Sequence, residues 1–120
     1  MYGLPEDTDL SDLIGCRVQS VSVGLHQVNL GLDGLRNIAI TVEGDFAVAE
    51  PGSDPVRYSS APVGAVALLA LLDAEIVAAR VSEPGTTLIS FSGGGVIAVY
   101  DSKAHYESYQ IQIGQRLIVV

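Results

Sequence analysis

Residues 17–42, RVQSVSVGLHQVNLGLDGLRNIAITV, and residues 75–100, EIVAARVSEPGTTLISFSGGGVIAVY, share one pattern of alternation, turn and alternation. Val18, Val21 and Val23 of the first stretch match Ile76, Ala79 and Val81 of the second. After a one-residue slip, Leu30, Leu32, Gly34, Ile38 and Ile40 match Ile89, Phe91, Gly93, Ile97 and Val99. Self-similarity of this kind marks a duplicated architecture. The period of two marks half-buried β-strands.

Between the two stretches lies APVGAVALLALL, residues 61–72, rich in Ala and Leu and free of charge. Ser59 or Ser60 can cap a helix there, and Pro62 suits its first turn, where the missing N–H costs nothing. No polar residue interrupts the segment before Asp73, and a helix apolar on every side is normally buried on more than one. Either the sheet curls around it, or one face is covered by the N-terminal leader, the C-terminus or a second subunit.

The turns divide the rest. Gly24-Leu25 makes a hairpin, Asp33-Gly34 is the strongest local turn signal, and Glu43-Gly44-Asp45 precedes a short strand at Phe46 to Ala49. EPGSDPVRYSS, residues 50–60, reads as a connecting loop. Glu83-Pro84-Gly85 and Gly93-Gly94-Gly95 supply the turns of the second half, and YESYQIQI, residues 106–113, alternates again. The LIVV ending is expected to add a strand or cover the helix, because an exposed apolar terminus invites edge pairing. Residues 1–12 read as a fraying acidic leader with helical tendency near Leu10 to Leu13.

The expected fold is α+β: a mostly antiparallel sheet of about seven to nine strands, from two β-meander repeats, around one central apolar helix. With 120 residues the chain suits a single domain, repeat one over about 13–50, loop and helix over 51–73 and repeat two over about 74–120.

Six Lys and Arg stand against fourteen Asp and Glu, a net charge of −8. Direct nucleic-acid binding is disfavoured, since it needs clustered cations. An acidic surface serves solubility, and it also suits docking onto a basic protein. Despite 48% hydrophobic residues and a mean hydropathy of +0.39, no apolar run reaches the roughly 20 residues of a membrane span. The N-terminus lacks the basic and apolar regions of a secretory signal, so a cytoplasmic protein is expected.

Chemical motifs are sparse. Cys16 has no second cysteine for a disulfide or metal site and reads as a small buried hydrophobe. His26 and His105 stand beside no recognisable nucleophile. Ser92-Gly93-Gly94-Gly95 lacks the following helix and the Lys-Ser/Thr pair of a phosphate loop, so a hairpin is the better reading. Asp101, His105 and Glu107 fall near one another without a partner nucleophile. No metal or cofactor is implied. Tyr100, Tyr106 and Tyr109 are either core-edge residues with hydroxyls in solvent or anchors of a protein interface.

The two meanders around LLALLDAEI, followed by LISFSGGGVIAVYD and YESYQI, resemble a family of small bacterial proteins that includes immunity proteins of contact-dependent and polymorphic toxin systems. The resemblance covers Leu13 to Ile113 and implies a non-enzymatic inhibitor that binds over the active site of a cognate basic toxin, a nuclease whose phosphate-holding cations would be the target. The toxin-binding candidates are Glu43, Asp45, Glu50 and Asp54 on one set of loops, and Asp101, Tyr106 and Glu107 on another. Two alternatives stand beside it. One is a small-molecule or lipid module with a cavity lined by Leu68, Leu72, Phe91 and Val99. The other is a self-associating subunit, a homodimer through the helix or the LIVV tail.

Overall fold

The computed structural model describes residues 8–33, 38–83, 85–100 and 109–120. Among these, ten strands and one α-helix follow a short 3-10 helix at Ser11–Leu13. The strands are β1 (Arg17–Val23), β2 (Val28–Asp33), β3 (Ile38–Val42), β4 (Phe46–Ala49) and β5 (Val56–Tyr58). After α1 (Ala61–Leu69) come β6 (Ile76–Glu83), β7 (Thr86–Phe91), β8 (Val96–Val99), β9 (Tyr109–Ile113) and β10 (Arg116–Val119).

They form two five-stranded sheets, ordered β1-β2-β3-β9-β10 and β5-β4-β8-β7-β6. All ladders within them are antiparallel. The meander β1-β2-β3 thus takes its outer strands from the end of the chain, and the meander β6-β7-β8 takes its own from the middle. Residues 43–45 carry the chain from the first sheet to the second.

Alternation decides what faces inward. Val28, Leu30 and Leu32 of β2, Ile38, Ile40 and Val42 of β3, and Tyr109, Ile111 and Ile113 of β9 are buried. They join Phe46, Val48, Ile89, Phe91, Ile97 and Val99 of the second sheet in one apolar cluster. Each such side chain contributes about 1.5–3 kcal/mol through its removal from water.

In β1 the spacing Val18 to Val21 breaks the period of two, and a bulge between Val18 and Ser20 absorbs the extra residue. In β6 the same step, Ile76 to Ala79, carries a register shift between Ile76 and Ala78. The two strands meet at their starts, where Arg17 and Glu75 form an antiparallel bridge. Val18 N donates to Ala74 O at 3.0 Å and Ile76 N to Cys16 O at 2.8 Å; Asp73 N donates to Val18 O at 2.7 Å and Gly15 N to Ile76 O at 2.8 Å. These bonds lace two sheet edges that would otherwise be open.

Four expectations need correction. The strand count is higher, because Val56–Tyr58 of the supposed loop pairs with β4. The helix is not central: α1 touches β1, β2, β4 and β5, buries Gly64, Ala65 and Leu68, and leaves Val63, Val66 and Leu69 exposed by 64%, 71% and 50%. The core lies instead between the sheets. The described part of the leader does not fray, since Leu10 and Leu13 are buried in the main cluster and Arg116 donates to Asp9 O. Tyr109 does not reach solvent; it is fully buried, with its hydroxyl bonded inside.

Other expectations hold. The tail adds β10, Ser92 to Gly95 turns between β7 and β8, and Cys16 is buried. Burial pushes the Cys16 thiol up from its ordinary pKa, helped by the negative charges of Asp33 and Asp12.

Candidate functional site

The carboxylates proposed as contacts are in different environments. Asp45 opens β4 and is held by Arg57 of β5, whose Nε and Nη2 both reach Oδ2, at 3.1 and 3.0 Å. The guanidinium of Arg57 also lies over the ring of Tyr100, 4.2 Å from its centroid, and Tyr100 N donates to Asp45 O. The charge of Asp45 is therefore already met from within the chain.

Glu43 is exposed at the N-terminal end of α1, in a cleft of about 970 Å³ bordered among the described residues by Leu25, His26, Ser59, Ser60 and Ala61. None of the side chains of His26, Glu43, Ser59 and Ser60 hydrogen-bonds to another of the four. The nucleophile–base contact that acid–base or covalent chemistry relies on is not formed among them.

Glu50 stands at the opposite end of the helix. With Pro51 it borders a second cleft, of about 230 Å³, whose walls include Val48, Ala67, Leu71, Ala74 and Gly95. Its carboxylate is exposed and forms no ion pair among the described residues. Asp54 is exposed on the same β4–β5 loop and is likewise unpaired. Asp101, Tyr106 and Glu107 lie outside the described residues.

The sequence reading missed the surface between Glu43 and Glu50. On a helical wheel Pro62, Val63, Val66, Leu69 and Ala70 share one sector, and all five are exposed. The buried sector opposite is set by Gly64. A Cβ there would overlap Cζ at the edge of the Phe46 ring and come within 2.9 Å of Tyr58 Cβ, so only glycine allows the helix to sit this close to β4 and β5. A charge-free outer face was visible in the residues; which way it turned was not.

Beyond α1, Arg17 donates to Asp73 O at 2.8 Å and lies 3.4 Å from Glu75 Oε1. Asp73 adopts a positive φ of 69°, which Asp tolerates better than most residues. No group of His, Cys, Asp and Glu able to hold a metal occurs among the described residues. No described helix is long and apolar enough to cross a membrane.

No curated protein and no solved structure matches the chain. A family profile matches residues 9–120, from just before the 3-10 helix through β10. The chain therefore belongs to the Family of unknown function (DUF6188).

Proposed function

We propose that this chain is a non-enzymatic binding protein for a basic protein partner, acting in the cytoplasm as an immunity protein that covers the active site of a cognate toxin domain. The observation that carries this reading is the pair of exposed carboxylates, Glu43 and Glu50, without ion pairs among the described residues, at the two ends of a helix whose outer face is apolar. A basic surface with apolar residues at its centre complements that arrangement in both charge and hydropathy. The net charge of −8 adds long-range attraction, which speeds encounter.

The test is a titration of the chain against a basic toxin domain encoded at the same locus, followed by binding heat and residual toxin activity. Stoichiometric binding that weakens with salt and abolishes activity is the expected result. Absence of binding and inhibition for every such domain removes the reading.

The small-molecule alternative fares worse. Leu68, Phe91 and Val99 are packed into the main core, while Leu72 is 44% exposed, so the four do not face one cavity. Self-association through α1 has the exposed apolar face in its favour, but two copies would bring equal net charges of −8 together.

We also propose that the chain is a duplication with exchanged outer strands. Its support is the spacing of 58 residues that relates Arg17 to Glu75 at the seam, and that also relates the bulge after Val18 to the shift after Ile76.

A further inference from the structure

We infer that the cleft at the C-terminal end of α1 is the socket for one lysine or arginine side chain of the protein partner, with the outer face of α1 covering apolar residues beside it. The inference rests on the basic-partner reading and assigns it a surface and a central contact.

Three features converge on that cleft. Its walls are aliphatic, with Val48, Ala67, Leu71 and Ala74 among them, and its volume of about 230 Å³ exceeds the ~150 Å³ that admits a benzene ring. Glu50 is among the residues that line it, exposed and with a carboxylate that has no ion pair among the described residues. Ala67 and Ala70 bring it to the negative end of the helix dipole, and the last turn of α1 contains no basic residue of its own.

Aliphatic walls suit a hydrocarbon stem, while a carboxylate and a helix C-terminus suit a cation. Lys and Arg combine the two in one side chain. A purely apolar side chain would leave Glu50 without a partner. A second copy of this chain would add its own −8 to the same surface. Gly95 helps keep the socket open, because a Cβ there would come within 3.1 Å of Leu71 Cδ2.

Next to the socket, Val63, Val66 and Leu69 form an exposed apolar strip along α1. An apolar strip with a charged socket at its end fits an amphipathic segment that carries its cation beside its apolar side chains.

The probe is a synthetic helical peptide with leucines on one face and arginines beside them, titrated into the full chain and followed through backbone amide shifts. Two control peptides replace arginine by citrulline, which keeps shape without charge, and leucine by serine, which keeps charge without the apolar face. The arginine peptide is expected to shift the amides of Glu50, Val66, Leu69 and Leu71 and to bind more tightly than either control. Glu50→Gln weakens it about fivefold, the upper range for an exposed ion pair. Ala70→Leu, which narrows the socket without changing charge, weakens it at least as much. Both substitutions are at exposed positions, so thermal unfolding stays unchanged.

Equal affinity for wild type, Glu50→Gln and Ala70→Leu overturns the socket. So does a shift pattern centred on Glu43 and Leu25. In either case preference for arginine over citrulline would leave the basic-partner reading standing, whereas equal binding of the arginine and citrulline peptides ends both.

Discussion

Tyr109 of β9 and Thr87 of β7 join the two sheets through the middle of the core, hydroxyl to hydroxyl at 2.9 Å. Both residues are fully buried, and Tyr109 also donates to Gly85 O at 3.0 Å. With Tyr109 as donor to that carbonyl, Thr87 is the donor to Tyr109. The pair pins one sheet against the other at a chosen register, which apolar contacts alone specify less sharply.

Tyr109→Phe keeps the ring and removes the hydroxyl, leaving Thr87 and Gly85 O without that partner. A loss of about 1–3 kcal/mol is expected. Adding Thr87→Val removes the stranded hydroxyl and restores part of the loss. Denaturant midpoints of the single and double variants check both statements.

Gly64→Ala tests the seating of α1. Helix propensity favours alanine by about 1 kcal/mol. The new methyl would collide with the Phe46 ring, and overpacking in a filled core costs about 1–3 kcal/mol. The collision outweighs the propensity because the neighbour is a ring fixed in the core rather than a flexible chain end. A lowered melting temperature is expected; a raised one would show that Phe46 moves aside freely.

Leu68 and Leu69 are neighbours in sequence with opposite fates, 2% and 50% exposed. Leu68→Ala is expected to cost about 2–4 kcal/mol, whereas Leu69→Ser stays within about 0.5 kcal/mol. Parallel chemical unfolding of the two variants measures the contrast. Similar losses in both would mean that the outer face of the helix is covered.

Asp45→Asn is expected to leave affinity for a basic protein unchanged, since Arg57 already occupies that carboxylate. Its effect on stability is at most about 1 kcal/mol, because Arg57 is largely exposed. Comparison with Glu50→Gln in one calorimetric titration separates a carboxylate engaged within the chain from one available outside it.

The Cys16 thiol is raised in the folded chain, so the native state retains its proton more firmly than the unfolded state. Stability from this group is fully present below the ordinary thiol pKa of 9.0 and falls as pH rises through and beyond it. Between neutral pH and about pH 10, wild type should lose more stability than Cys16→Ala does. Equal slopes for the two proteins would show that burial at Cys16 has no such effect.

Much of the strand pattern was legible in the residues. β2 and β3 alternate cleanly, Asp33 begins a turn signal, and Pro62 marks the first turn of α1. The bulge in β1 was also present as the three-residue step from Val18 to Val21. β5 was not legible, because Pro, Gly and Ser around Val56–Tyr58 outweigh so short a strand. It forms because its backbone groups find β4, with Phe46 opposite Tyr58 and Val48 opposite Val56. Of the candidate contacts, Glu43, Glu50 and Asp54 are exposed on their turns, while no turn signal could reveal that Asp45 meets Arg57.

Local chemistry settles which segments are extended, which residues of β2, β3 and β9 share a face, and, through Pro62, where α1 begins, because those properties depend on periods and backbone constraints within a few residues; Ser60, the expected cap, occupies the N-cap position but makes no side-chain capping bond. Partnership was decided only in three dimensions. Alternation describes the buried face of β3 without saying that β9 will be its neighbour, since every antiparallel strand presents the same backbone donors and acceptors. The outward face of α1 has the same origin. A helix apolar on all sides has no preferred face, so the close approach that Gly64 permits to Phe46 chose which residues to bury and left Val63, Val66 and Leu69 exposed beside Glu50's cleft.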